Sequence, residues 1–255
     1  MTLASYHNHT RLSDGSAEPR AMAEAAAAAG LDELGISDHL TLHPDGRQCD
    51  WSMPVERLGS YVGAILELPS VRLGLEADFF PETADALRPL LEKHPFDYVI
   101  GSVHFAGNFQ VDKGRALWEK LSPAERDAVW TVYWDRIAKM AQSRLFDIVG
   151  HLDYPKRFGF RTAGIPHHAL DAIAEAGMAV ELNTAGWHHA AREAYPSPDI
   201  LKEVRKRGIP ILISADAHHP KHLTRDFDKA RELARSVGYA ELSVYEGRKR
   251  SAAAL

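Results

Sequence analysis

His7-Asn8-His9 and Asp216-Ala217-His218 place nitrogen and oxygen donors two residues apart near opposite ends of a 255-residue chain. In an extended segment, side chains at i and i+2 leave the same face, so each pair can direct both donors at one ion. Neutral imidazole and carboxylate are donors that zinc, manganese or iron accept. Asp216 and His218 follow the apolar run Ile209-Pro210-Ile211-Leu212-Ile213. One His-x-His is a weak signal. Two such pairs, each closing or following a strand-like run, point to metal.

The elements that must hold these donors repeat along the chain. Apolar or β-branched runs cover 3–7, 33–37, 71–77, 97–103, 146–150, 178–183 and 209–214, and read as strands. Helical patterns cover 19–29, 54–68, 83–93, 123–143, 166–176, 198–207 and 225–237. Ser122-Pro123-Ala124-Glu125 has the pattern of a capping box with proline at the first helical position. Gly30, Gly177, Gly208 and Gly238 stand where helices should stop. Nearly continuous apolar strands alternating with helices predict a mostly parallel sheet covered by helices. Seven such units favour an α/β barrel over an open sheet. Segments 40–52 and 105–121 read as long loops over the site, and 241–245 as one more strand at an edge.

Laid over these runs, the polar residues fall at the strand ends. His7 and His9 close the first, Asp38-His39 follows the second, and Glu76 ends the third within Gly74-Leu75-Glu76-Ala77-Asp78. His104 follows the fourth, His151 and Asp153 the fifth, Asn183 ends the sixth, and Asp216 and His218 follow the seventh. Parallel barrels carry their sites at the carboxyl ends of the strands, so these groups should converge in one mouth as a multinuclear metal site. His43, His94, His167, His168, His219 and His222 read as loop or helix-start residues, whereas His188-His189 is a pocket candidate. Trp130, Tyr133 and Trp134 have the spacing of helix packing, and the Lys-Glu-Val-Arg-Lys-Arg run at 202–207 that of a solvated helix face.

Composition narrows the function classes. A hydrophobic content of 45% fits a globular chain with a sizeable core, expected as a single domain over residues 1–255. The formal charge of −5 argues against a dedicated nucleic-acid surface. Cys49 is the one cysteine, which excludes an intrachain disulfide and reads as an unreactive loop thiol. No secretory pattern opens the sequence, and the alanine-rich stretch 21–29 is too short to span a bilayer. The expectation is a cytoplasmic protein with no membrane partner. No motif specifies an oligomeric state.

These motifs together resemble the polymerase-and-histidinol-phosphatase (PHP) superfamily of metal-dependent phosphoesterases. The likeness runs from His7-Asn8-His9-Thr10 and Ser13-Asp14-Gly15 through Ile36-Ser37-Asp38-His39, Gly74-Leu75-Glu76, Gly101-Ser102-Val103-His104 and Gly150-His151-Leu152-Asp153. Glu181-Leu182-Asn183-Thr184-Ala185-Gly186, Tyr195-Pro196-Ser197-Pro198 and Ser214-Ala215-Asp216-Ala217-His218 look like its histidinol-phosphate phosphatase branch. The resemblance implies a distorted (β/α)7 barrel holding three divalent ions. His7, His9, Glu76 and Asp216 would hold the first; Glu76 would bridge to a second held by His104 and His151. Asp14, His39 and His218 would hold the third, with Asp14 standing where many members have histidine. Trp187-His188-His189 also departs from the branch, where a basic pair often follows the Asn-Thr-Ala-Gly segment.

The implied substrate is a small phosphomonoester, L-histidinol phosphate, cleaved by a hydroxide that bridges metal ions. Arg157 is the expected phosphate clamp, because guanidinium bonds two oxygens at once, with Lys156 and Arg161 as substitutes. Asp153 is the expected leaving-group acid or a partner of a histidine, and Asp78, Asn183 and Asp153 the acceptors for the ammonium and imidazole. Two alternatives are a PHP phosphatase for nucleotides or other small phosphoesters, and a metal-binding module without catalysis.

Overall fold

Strands this short and this apolar must be covered on both faces, and the chain achieves that with a ring of parallel strands inside a layer of helices. The computed structural model describes residues 2–161 and 164–255. The first three runs supply β1 (Ala4–Ser5), β2 (Glu33–Ile36) with its continuation β3 (His39–Leu40), and β4 (Val71–Leu73) with its continuation β5 (Glu76–Asp78). The fourth supplies β6 (Ile100–Ser102), followed by a small hairpin of β7 (Phe105–Ala106) and β8 (Phe109–Gln110). The last three supply β9 (Ile148–Val149), β10 (Ala179–Asn183) and β11 (Ile211–Ser214).

Parallel pairing runs β1 to β2, β2 to β4, β3 to β5, β5 to β6, β6 to β9, β9 to β10 and β10 to β11. A parallel bridge between Asn8 and Ala217 joins the last run back to the first and closes the cycle of seven. The ring is distorted where the second and third runs break. Tyr98 lies against Gly35 and Gly74, where any Cβ would collide with its ring. The Tyr61 hydroxyl stands 2.9 Å from the Ile36 carbonyl and 2.6 Å from that of Gly74, at the same break.

Alternation along the strands sorts side chains into two cores. Ile100, Ile148, Ala179 and Leu212 join Tyr6, Tyr98 and Tyr245 in one buried cluster. Their neighbours Val99, Val149, Val180, Ile211 and Ile213 belong to the larger core shared with the helices. Those helices are α1 (Pro19–Ala28), α2 (Leu58–Leu66), α3 (Ala84–Lys93), α4 (Arg115–Glu119), α5 (Pro123–Ser143), α6 (His167–Ala176), α7 (Pro198–Lys206) and α8 (Phe227–Ser236). The capping box at the start of α5 forms as its sequence predicts, with Ser122 and Glu125 each serving the other's backbone N–H.

Two expectations change. Segment 105–121 is not a plain loop, since it folds into the β7–β8 hairpin and α4. Segment 241–245 is a strand, β12 (Glu241–Glu246), but it pairs antiparallel with β13 (Lys249–Ala254) rather than extending the ring. Its Tyr245 enters the inner cluster, and the Tyr6 hydroxyl lies 3.2 Å from its backbone nitrogen.

Candidate metal centre

The His-x-His pair is aimed by the residue between its histidines. Asn8 donates its side-chain amide to the carbonyls of Ser5 at 3.0 Å and Gly35 at 2.8 Å, which fixes it against the first two strands. His9 N–H then bonds the Ala217 carbonyl at 2.9 Å and Ala217 N–H the His7 carbonyl at 3.1 Å, so the two spaced pairs lie side by side. Asp216 adopts a left-handed backbone with φ of 51°, a conformation uncommon outside glycine. The turn leaves its carboxylate 3.2 Å from His9 Nε2 and 3.7 Å from His7 Nε2.

Asp14 reaches the same place by a tight loop. Asp38 accepts from Thr10 N–H and Thr10 hydroxyl, both at 2.7 Å, and from the Ser13 hydroxyl at 2.5 Å. Gly15 folds back so closely on His9 and Thr10 that a Cβ there would strike backbone. Asp14 Oδ1 thereby comes within 3.2 Å of His218 Nε2, 3.8 Å of His39 Nε2 and 3.9 Å of His9 Nδ1.

Glu76, at the start of β5, is the hub. Its Oε2 is 2.7 Å from His39 Nδ1, 3.1 Å from His7 Nε2 and 3.5 Å from His9 Nε2. Its Oε1 is 2.9 Å from His151 Nε2 and accepts from Ser102 at 2.5 Å. All nine expected ligands fall into four overlapping donor groups, each with its atoms within 4.8 Å of one another. The groups are His9, Asp14, His39 and His218; His7, His9 and Glu76; His7, His151 and Asp216; and Glu76, His104 and His151.

The donor set fits divalent metal on an independent ground. His7 Nε2, both ring nitrogens of His9, Glu76 Oε2 and His151 Nδ1 are buried without a hydrogen-bond partner. Buried polar atoms are normally satisfied, so this concentration of unsatisfied donors marks where a cation would be bound. Outer partners fix the tautomers that binding needs. His7 Nδ1 donates to Glu181 at 2.7 Å and His104 Nδ1 to Asp78 at 2.9 Å, freeing the opposite ring nitrogens.

Electrostatics at the cluster follow from this crowding. Burial, reinforced by His39 and His218, pushes His9 down to about 3. Burial also opposes charge on His104 and His218, yet Asp78 lifts the first to about 10 and Asp14 with Asp216 lifts the second to about 9. His7 is raised well above the ordinary histidine range, its burial overcome by Glu181, Glu76 and Asp216. Glu76 and Asp216 fall well below the carboxylate range despite burial, because imidazoles surround them.

The cluster opens into a cavity of about 460 Å³. Arg157 lines it, its guanidinium bonded to the Tyr154 hydroxyl and lying 5.2 Å from the Tyr154 ring centre. Five residues expected at the substrate do not line this cavity. Asp153 and Lys156 pair with each other at 2.8 Å, and both line a separate cavity of about 250 Å³. Lys156 also donates to the Ala194 carbonyl at 2.7 Å, and Asp153 accepts from Ser197 N–H at 3.0 Å through the same oxygen that meets Lys156. Asn183 is consumed by Glu181 and by Ala185 N–H, and Asp78 by His104 and the Thr41 hydroxyl. Arg161 is occupied by Glu193 at 2.6 Å.

Several cavity residues were not singled out by sequence. Trp51, Asp112, His222 and Arg225 line it, and His222 stands there although it reads as a loop histidine. His189 also lines it and lies 2.8 Å from the Tyr195 hydroxyl, whereas His188 pairs with Asp226 outside. Glu181 was missed as well. Its signal was present: a glutamate in the middle of an otherwise apolar strand run.

The sequence profile of the PHP domain matches residues 5–185. The chain belongs to the PHP domain family. This PHP protein is 38% identical, over 92% of its length and 94% of the relative's, to a "Probable histidinol-phosphatase" of Deinococcus radiodurans. It is 25% identical, over 98% of its length and 96% of the relative's, to the histidinol-phosphatase of Lactococcus lactis. A crystal structure of histidinol phosphate phosphatase from Lactococcus lactis, complexed with zinc, L-histidinol and phosphate, shares the fold of this PHP chain. The two align with a TM-score of 0.81 at 24% identity, covering 98% of this chain and 99% of that one. Among the described residues of the PHP chain, no helix is long and apolar enough to cross a membrane.

Proposed function

We propose that this PHP protein hydrolyses L-histidinol phosphate to L-histidinol and phosphate, with residues 1–255 acting as one catalytic domain. The observation that carries the reading is the convergence of nine donors around buried Glu76, at a cavity whose wall presents Arg157. The relatives named above, matched along nearly the whole chain, support the choice of ester.

His7, His9, Glu76 and Asp216 would hold one divalent ion, and Glu76 would be shared with a second held by His104 and His151. Asp14, His39 and His218 would hold a third. The donors are nitrogen and oxygen without thiolate, a set that accepts zinc, manganese or iron. Such ions supply a water of lowered pKa and neutralise charge on the phosphoryl oxygens. Glu181 and Asp78 keep His7 and His104 in the tautomers that bind. Arg157, held over Tyr154, offers its remaining N–H groups to two phosphoryl oxygens and fixes the ester in the cavity.

The test is phosphate release from L-histidinol phosphate beside nucleotide and sugar phosphates, with metal content measured on the same sample. A strong preference for histidinol phosphate, lost on chelation and restored by metal, is expected. Metal-dependent release from another ester would overturn the substrate, and no release by the fully metallated protein would overturn the reaction.

A further inference from the structure

Once the ligands and their supporting groups are assigned, the cavity keeps three charged side chains with no opposite charge paired to them. Two are the arginines Arg157 and Arg225; the Nε of Arg225 is buried and unpartnered. The third is Asp112, which belongs to none of the four donor groups. Its Oδ1 is buried without a hydrogen-bond partner, and although Arg157 and His104 feel its charge, neither forms an ion pair with it.

Asp112 is held in place from both sides. Val111 N–H bonds the His104 carbonyl at 2.9 Å, tying the segment to a ligand-bearing strand end. The Trp118 indole donates to the Val111 carbonyl at 2.8 Å, and Trp118 is fully buried, stacked on Phe160 at 5.7 Å. Trp51 borders His104 as well, with ring centres 5.0 Å apart, and adds an aromatic wall on which a cation or heteroaromatic ring can rest. An unpaired buried carboxylate oxygen is costly unless a ligand satisfies it.

We propose that Asp112 is a specificity-determining residue that binds a cationic group on the alcohol portion of the phosphoester, an ammonium in the first instance. The cavity is thus polarised: Arg157 and Arg225 face the phosphate, and Asp112 faces the positive charge of the leaving alcohol. This selects phosphate esters of amino alcohols over neutral or polyanionic ones, since a nucleotide would bring further negative charge toward an uncompensated carboxylate. The assignment rests on the reading of the site as a phosphomonoesterase and names the feature of its substrate that the site measures.

The experiment compares L-histidinol phosphate with its analogue lacking the amino group, on the metal-loaded wild type and on Asp112→Asn, an isosteric change. The readout is the ratio of kcat/KM between the two esters. In the wild type the amine ester should be preferred by about ten- to a hundredfold, the range of one charge-assisted hydrogen bond, and Asp112→Asn should collapse that ratio. A merely structural role would depress both esters together and leave the ratio unchanged, which would overturn the assignment. A wild type that prefers the amine ester, with that preference retained in Asp112→Asn, overturns the assignment alone. A wild type indifferent to the amino group while hydrolysing nucleotides faster overturns both this assignment and the substrate reading.

Discussion

Replacing Glu181 by glutamine preserves shape while removing the charge and half of the acceptors behind the ligand cluster. Four donors converge on this fully buried carboxylate. His7 Nδ1 at 2.7 Å and the Ser214 hydroxyl meet Oε1; His151 N–H at 2.5 Å and the Asn183 amide at 3.0 Å meet Oε2. A glutamine has one carbonyl oxygen, so either pair of donors must face an NH2 group whichever way the amide points. Leaving two buried donors unsatisfied costs about 2–6 kcal/mol at roughly 1–3 kcal/mol each. At about 2–4 °C per kcal/mol for a chain of this size, the metal-free Tm should fall by about 4–24 °C. Loss of the carboxylate behind His7 should also weaken metal binding by about 10- to 100-fold. Thermal denaturation by circular dichroism and chelator-competition titration measure the two effects. A variant that melts within about 2 °C of wild type and binds metal with unchanged affinity would show that Glu181 does not organise the cluster.

Arg157→Ala should lower kcat/KM by about 10- to 100-fold through loss of charge-assisted bonds to phosphate, with metal content unchanged. Unaltered kinetics in a fully metallated variant would remove Arg157 from phosphate binding. Metal uptake should release protons. In the metal-free site His7, His104 at about 10 and His218 at about 9 hold protons near neutral pH, whereas His9 at about 3 is already neutral. Ligation requires the neutral ring, so protons compete with metal below these values and apparent affinity should rise as pH increases towards about 9–10. Calorimetric titrations in buffers of different ionisation enthalpy measure the release; identical heats in all buffers would contradict it.

Eight of the nine candidate ligands were legible because each is a metal-capable residue standing at or just beyond an apolar strand run, whereas Asp14 lies in a loop and was marked only by the family resemblance. In a parallel ring that position alone decides where a side chain goes. The segment around Asp153 shows where such reading stops. Asp153, Lys156 and Arg157 all lie close to His151 in sequence, and proximity suggests a common role. The chain turns there through a left-handed Asp153, with φ of 64°, into a short 3-10 helix at Tyr154–Phe158. That turn sends Asp153 and Lys156 into a separate cavity and Arg157 into the cavity of the candidate ligands. A run of consecutive residues thus divides between structure and site by backbone rotation, which residue type does not encode.

The sequence by itself determined the order of strands and helices, the barrel class and the donors that end its strands. These follow from period, punctuation and the scarcity of histidine and acid in apolar runs. Only the tertiary structure decided which polar groups serve one another. Glu181 lies on β10 and His7 at the opposite end of the chain, yet they meet because closure of the ring makes them neighbours. Asp78 and Asn183 look available in sequence and are consumed in space, while Asp112, in an expected loop, and Arg225, at the start of an expected helix, face the cavity. Pairing between distant segments is a property of the closed fold, because a buried polar group is assigned by whatever the packing brings within hydrogen-bond reach.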